Sequence, residues 1–250
     1  MPSRKGPRVS HEAPFVSRIE VVPSRIDAAN VYPFTIPAIR KLEILPLHPK
    51  VTYFVGENGS GKSTIVEAIA VAAGMNAEGG SQNFNFATRR SESSLGRVLR
   101  VARPPARPRT MFFLRAESYF NVATEIENRD REPSFGPPII DSYGGVSLHE
   151  QSHGESFFAL LRHRFGPGGF YVLDEPEAAL SPARQLDALE RIKELVDEGS
   201  QFVIATHSPI LLSLADTLIY ELDTNGIHET TWDATQTVRT MRSFFENRRG

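Results

Sequence analysis

The stretch "VTYFVGENGSGKSTIVEAIAVA", Val51–Ala72, decides the fold. An apolar run rich in β-branched and aromatic residues enters a glycine-rich turn and leaves it as an apolar helical pattern. Within it, Gly56–Ser63 fits G-x-x-x-x-G-K-[ST], with the strand before and the helix after that this motif requires. Gly56, Gly59 and Gly61 allow the backbone, Asn58 and Ser60 included, to curl so that its N–H groups face a phosphate. The N-terminus of the following helix adds a favourable dipole. Lys62 is expected to neutralise β- and γ-phosphates, Ser63 to ligate Mg²⁺ and Thr64 to reach the α-phosphate. A chance glycine turn would not explain the flanking strand and helix.

Further along, "GFYVLDEP" is an apolar strand closing on two carboxylates, Asp174 and Glu175. A charge at the end of a buried strand is costly unless compensated, and a Mg²⁺ shared with Ser63 would compensate Asp174. Glu175, one residue on, points elsewhere and is a candidate general base for an attacking water. The alternative makes the pair a helix cap and a surface carboxylate. The next apolar strand, "SQFVIATHSP", ends at His207. Either His207 is a polar cap, or, since ligands of parallel sheets sit at the carboxyl ends of strands, it contacts the γ-phosphate or the water.

These segments alternate with helices, the clearest being "SPARQLDALERIKELVDEG". There Leu186, Leu189, Ile192, Leu195 and Val196 form one stripe, as for a helix lying on a sheet. Alternation of this kind implies an α/β fold with a mostly parallel central sheet flanked by helices. "FVSRIEVV" reads as an edge strand of a small antiparallel N-terminal portion, and "TMFFLRAES" as a buried strand. Residues 1–14 and 241–250 are expected to be tails around one domain, 15–240. About residues 76–150, rich in Gly, Asn, Ser, Pro and Arg, form an irregular insertion with one short helix near Ser93–Val101.

A chain of 250 residues with 40% hydrophobic and 23% charged residues has length and composition for a substantial core. Its formal net charge of −2 gives no global bias toward nucleic acid or anionic membrane, and the absence of cysteine removes disulfides and thiolate metal sites. No run approaches the roughly 18 apolar residues of a membrane span, and the N-terminus lacks the apolar core of a secretory signal. The expectation is a cytoplasmic protein with no direct membrane insertion.

Together, "GENGSGKST", "SHGE", "VLDEPEAALSP" and "ATHSP" resemble the ATP-binding-cassette (ABC) ATPase superfamily over about residues 15–220. Asp174 follows Ser152 by 22 residues and His207 follows Asp174 by 33, spacings similar to that superfamily's. More narrowly, "YPFTIPAIR", "FFLRAESYFNVAT" and "SLHEQSHGESF" resemble small stand-alone bacterial ATPases of AAA or ABC type. Their layout is similar to chromosome-maintenance and recombination-repair heads, here without a coiled coil. The resemblance implies a P-loop fold of ABC type that binds and hydrolyses ATP with Mg²⁺, using Lys62, Glu175 and His207. It also implies a head-to-tail homodimer in which Ser152, His153, Gly154 and Glu155 serve the partner's ATP. Ala179, Leu180, Ser181 and Pro182 fall at its dimer-contacting loop. Tyr32 or Phe34 would stack on adenine, with core packing the alternative for both. His153 departs from the usual glycine. The usual Q-loop glutamine has no clear counterpart; Glu117 or Ser118, and more distantly Gln82, are candidates.

Between residues 89 and 109 stand Arg89, Arg90, Arg97, Arg100, Arg103, Arg107 and Arg109 against one acid, Glu92. Three readings remain open: a nucleic-acid contact, a dock for an unidentified partner protein, or a solvated segment whose arginines pair internally. Three function classes follow. The first is a soluble ATPase coupled to a partner process, DNA-linked repair or defence. The others are the nucleotide-binding subunit of a membrane transporter and a phosphoryl transferase, against which the Ser152–Glu155 and His207 segments argue.

Overall fold

The computed structural model describes residues 14–77, 79–81, 94–115, a few positions between 124 and 145, and 153–248. Residues 1–13 of the expected tail, Gln82, Arg89, Arg90, Glu117, Ser118, Ser152 and the side chain of His153 lie outside the described residues.

In chain order the strands are β1 Arg18–Val21, β2 Ile44–Pro46, β3 Val51–Gly56, β4 Gly80–Ser81, β5 Leu99–Ala102, β6 Met111–Arg115, β7 Phe170–Asp174, β8 Gln201–Ala205, β9 Leu218–Asp223 and β10 Gly226–Thr230. The helices are α1 Pro37–Arg40, α2 Lys62–Ala72, α3 Leu95–Val98, α4 His153–Ala159, α5 Pro182–Asp197 and α6 Gln236–Asn247. A π-helical turn, Leu160–Arg164, extends α4.

The described strands form a seven-stranded sheet ordered β10-β9-β3-β8-β7-β6-β4 and a three-stranded sheet ordered β2-β1-β5. From β9 to β6 every pairing is parallel, while β10 and β4 add antiparallel edges. The period-2 pleat sends alternate side chains to two cores. Val51, Tyr53, Tyr171, Leu173, Phe202 and Ile204 meet α4 and α5 on one face. Phe54, Phe113, Val172 and Val203 meet α2 and the small sheet on the other.

Four sequence expectations change. β1 is the centre of the small sheet, paired antiparallel with both β2 and β5, so it is not an edge strand. The helix expected near Ser93–Val101 ends at Val98, and Leu99–Ala102 is a strand. Leu95, Val98 and Leu99 are buried in the second core, so this part of the insertion has packing that composition alone concealed. On α5, Ala188, Ile192, Leu195 and Val196 are buried and Leu189 partly so, whereas Leu186 is 57% exposed and leaves the stripe. The expected C-terminal tail is helical to Asn247, with Thr235 capping α6 by accepting from the N–H of Val238.

The N-terminal segment is tied to the sheet by one buried amide. Gln201 Oε1 accepts from the N–H groups of Phe15 and Val16 at 2.9 and 3.0 Å, and its Nε2 donates to Val16 O and His48 O at 2.8 and 2.9 Å. Gln201→Leu would leave four backbone groups without that partner. The expected loss is about 3 kcal/mol, read as a lower urea midpoint at unchanged slope.

Candidate nucleotide-binding site

β3 ends where backbone must approach backbone. A methyl group on Gly56, whose φ is 143°, would lie 2.4 Å from the carbonyl oxygen of Leu222 on β9, so no larger residue fits there. Gly59 and Gly61 also have positive φ, and Gly61 forms the N-cap of α2 without any side-chain cap. The first turn of α2 holds no acidic residue. An uncapped helix N-terminus behind a curled glycine loop directs N–H donors and a positive dipole end outward, which suits a phosphate.

Lys62 folds back over this loop, its ammonium donating to Gly56 O and Glu57 O, both at 3.0 Å. Burial lowers its pKa, opposed by the carboxylates of Glu175, Asp174 and Glu177. A cleft of about 410 Å³ is lined by Tyr32, Ile36, Asn58, Gly59, Gly61, Lys62, Ser63, Thr64 and Glu175. The structure thus brings Asn58, Gly59, Gly61, Lys62, Ser63 and Thr64 of the predicted phosphate segment, Glu175 and one of the two aromatics to one hollow, while Gly56 and Ser60 do not line it. Tyr32 is 63% exposed, with its hydroxyl 3.0 Å from Thr64 Oγ1. Phe34 is only 6% exposed and belongs to the second core, so the core-packing alternative holds for it and adenine stacking is withdrawn. A larger groove, about 550 Å³ between α5 and residues 213–215, holds none of the motif residues.

At the carboxyl edge, Phe54, Ala205, Asp174 and Arg115 stand abreast across β3, β8, β7 and β6. Asp174 is 6% exposed. Arg115 Nη1 lies 2.8 Å from Glu67 Oε2, and Arg115 Nε 3.8 Å from Asp174 Oδ2. Glu67 is one helical turn beyond Ser63 on α2. Glu175 adopts a left-handed backbone, φ 51° and ψ 51°, uncommon for a residue with a side chain and often found where function constrains geometry. Its carboxylate Oε1 is 3.6 Å from His207 Nε2.

The cofactor implied by this kind of site is Mg²⁺. Ser63 and Asp174 are hard oxygen donors, and among the described residues no three His, Asp or Glu side chains form an all-protein cage. Such a set fits Mg²⁺, which takes one or two protein oxygens and completes its shell with water and phosphate.

Gly154 and Glu155 do not line this cleft. α4 begins at His153, and a Cβ on Gly154 would sit 2.9 Å from Ala179 O, so the start of α4 rests on the turn Pro176–Ala179. Of the loop that follows, Leu180 is buried in the first core. Ser181 caps α5 by accepting from the N–H of Arg184, and Pro182 takes the first helical position. Among the described arginines of the basic segment, Arg100 donates twice to Glu20 Oε2, at 3.2 and 2.8 Å. Arg103 donates to Ala73 O at 2.6 Å, at the C-terminus of α2. Arg97, Arg107 and Arg109 are exposed.

Sequence reasoning missed Arg115, Glu67 and Glu177. The available signals were a cation closing the apolar run "MFFLR", a lone acid in "IVEAIA", and a third carboxylate in "DEPEAAL".

A family model described as "AAA domain" matches residues 29–132, and one described as "AAA domain, putative AbiEii toxin, Type IV TA system" matches residues 139–213. The thiamine import ATP-binding protein ThiQ of Ruegeria sp. (strain TM1040) is 28% identical over 172 residues, covering 62% of this chain and 69% of that protein. A solved structure described as "An inward-facing conformation of a putative metal-chelate type ABC transporter" aligns with TM-score 0.53 at 16% identity, covering 93% of this chain and 89% of the other. The SMC head domain from Thermotoga maritima aligns at 20% identity and TM-score 0.41, over 75% of this chain and 92% of that one. The fold is that of the P-loop ATPases of ABC type. At the family level both matches are to AAA domains, each over less than half of the chain.

The Glu67–Arg115 pair yields a prediction. Arg115→Leu removes the cation beside two buried carboxylates, Glu67 and Asp174, and should cost about 3 kcal/mol, whereas Glu67→Leu combined with Arg115→Leu should recover the part that belongs to Glu67. A double-mutant cycle by urea unfolding measures it; strictly additive losses would exclude the coupling.

Proposed function

We propose that this protein binds ATP with Mg²⁺ and hydrolyses it, with the nucleotide sandwiched between two copies arranged head to tail. One observation carries the proposal: the curled phosphate loop and Glu175 share one cleft, at the edge where β7 and β8 deliver Asp174 and His207. The N–H groups from Gly56 to Thr64 and the Lys62 ammonium hold the phosphates, Lys62 exchanging its loop carbonyls for phosphate oxygens. Ser63 and Asp174 would hold Mg²⁺, which supplies charge neutralisation at the β- and γ-phosphates. Glu175 takes the proton of the attacking water. His207, within reach of the Glu175 carboxylate, fixes the water and the γ-phosphate. Tyr32 is the aromatic available to adenine.

The arrangement in two copies is supported by the cleft itself, which is open and lacks Gly154 and Glu155. Serving a partner's phosphate gives the Ser152–Glu155 segment a ligand. The coupled process is proposed to involve a soluble partner and to be DNA-linked, in repair or defence. A matched family whose description names a toxin and a toxin–antitoxin system supports the defence branch. Exposed Arg107 and Arg109 are the available contacts for nucleic acid, since Arg100 and Arg103 are engaged internally.

A second reading, the nucleotide-binding subunit of a membrane transporter, is favoured by the thiamine-import relative. No helix among the described residues is long and apolar enough to cross a membrane, so this reading requires a separate membrane protein, and co-purification with one would select it.

Glu175→Gln is expected to bind ATP normally, to lose hydrolysis by about a hundredfold or more, and to accumulate an ATP-dependent dimer in size-exclusion chromatography. Wild-type protein that neither hydrolyses ATP nor dimerises with it would sink the proposal. Ser152→Arg is expected to abolish the dimer while ATP binding to the single copy stays within about twofold, because the substituted residue serves the partner's nucleotide.

A further inference from the structure

Glu177 sits in the turn Pro176–Ala179, two residues beyond Glu175, and no motif claims it. Its Oε1 accepts a hydrogen bond from the backbone N–H of His207 at 2.5 Å, across 30 residues of sequence. Its Oε2 is buried and, among the described residues, has no hydrogen-bond partner, as is the case for Nε2 of His207. The same two strand ends are joined a second time, where the N–H of Glu175 donates to Ala205 O at 2.9 Å. Between these two links the N–H of Thr206 donates to Phe54 O at 3.1 Å, so residues 205–207 are held on both sides. Beyond them, Ser208 Oγ bonds Gln185 Oε1 of α5 at 2.6 Å.

A carboxylate accepting from a backbone N–H makes a charge-assisted bond, shorter and stronger than a neutral one. Burying one oxygen of a half-buried carboxylate is unfavourable without such a bond, so its occurrence here asks for a use. Glu177 anchors the backbone of His207 directly, and the imidazole then falls 3.6 Å from the carboxylate of Glu175. We infer that Glu177 is a positioning residue: it fixes the backbone at the end of β8 so that His207 meets Glu175 and the phosphate site at a set distance. The inference rests on the proposed ATPase reading for its catalytic consequence, though not for the clasp itself. The competing role for Glu177 is purely electrostatic, as one of the three carboxylates around Lys62.

Two near-isosteric substitutions separate these roles. Glu177→Gln keeps an oxygen that can accept from the His207 N–H and loses the charge. Glu177→Asp keeps the charge and loses the reach by one methylene. The clasp predicts that Glu177→Gln retains kcat within about threefold, while Glu177→Asp loses about tenfold in kcat with KM for ATP nearly unchanged. Hydrogen–deuterium exchange of the His207 amide supplies a readout independent of catalysis. It should quicken about tenfold in Glu177→Asp and stay near wild type in Glu177→Gln. The proposal is overturned if the Asp variant keeps wild-type exchange and turnover, or if the Gln variant is the impaired one. If wild-type protein proves to have no ATPase activity, the function proposed above fails, and the exchange measurement still decides whether Glu177 holds His207.

Discussion

A parallel sheet covered on both faces has nowhere to put a charge except the ends of its strands, and the site follows from that constraint. From Val51 to Val55, from Phe170 to Leu173 and from Gln201 to Ala205 every residue is buried, and the one polar side chain on β8, Gln201, has its amide fully engaged. Asp174 is tolerable because it is the last residue of β7, where the sheet opens. Parallel register then decides its neighbours. β6 and β7 run together from Met111↔Phe170 to Arg115↔Asp174, so the cation closing β6 arrives beside the carboxylate closing β7. No loop has to search for this meeting; the ladder imposes it.

The electrostatics at that edge position more than they stabilise. Taking Arg115, Glu67 and Asp174 out of water is expensive, and the mutual attraction of buried ions commonly does little more than offset it. What the pairing does is orient. Glu67 lies on α2 one turn beyond Ser63, so Arg115 ties the helix that offers a hydroxyl to the strand that offers a carboxylate. If Ser63 and Asp174 hold Mg²⁺, as proposed, two oxygen donors from separate elements are positioned by a third side chain that need not touch the metal. This is how outer residues commonly fix the ligands of a metal site.

Legibility in the sequence tracked how far each local signal was self-sufficient. β3, the glycine loop and α2 were readable because an apolar run, a positive-φ turn and a helical pattern succeed one another without help from distant residues. β7 and β8 were readable for the same reason. The small sheet was not. β1 shows alternation, which marks a strand, but alternation cannot say whether both edges are paired, and β5 lay hidden in arginine-rich sequence. Leu99–Ala102 does alternate between apolar and other residues, yet four residues are too few for periodicity to outweigh composition. Leu186 matched the helical stripe and still faces solvent, since a stripe on paper ignores where the underlying sheet ends. Arg115 and Glu177 escaped notice because their partners are 48 and 30 residues away, and only the folded register brings them close.

The turn after β7 is where these constraints meet. Glu175 opens it in a left-handed conformation, Glu177 reaches across to His207, and Ala179 presents its carbonyl to Gly154 at the start of α4. Contact so close that a single methyl group at Gly154 would come within 2.9 Å leaves no slack, and well-packed backbone transmits displacement rather than absorbing it. A shift at the start of α4 therefore bears on the same four-residue turn that carries Glu177. If the Ser152–Glu155 segment engages a second copy's nucleotide, as proposed, occupancy there and the placement of His207 beside Glu175 are linked through one short piece of backbone. That linkage requires no distant rearrangement. It requires only that Pro176–Ala179 move as a unit, and the hydrogen bonds that Ala178 and Leu180 make back to Glu175 and Glu177 provide for that.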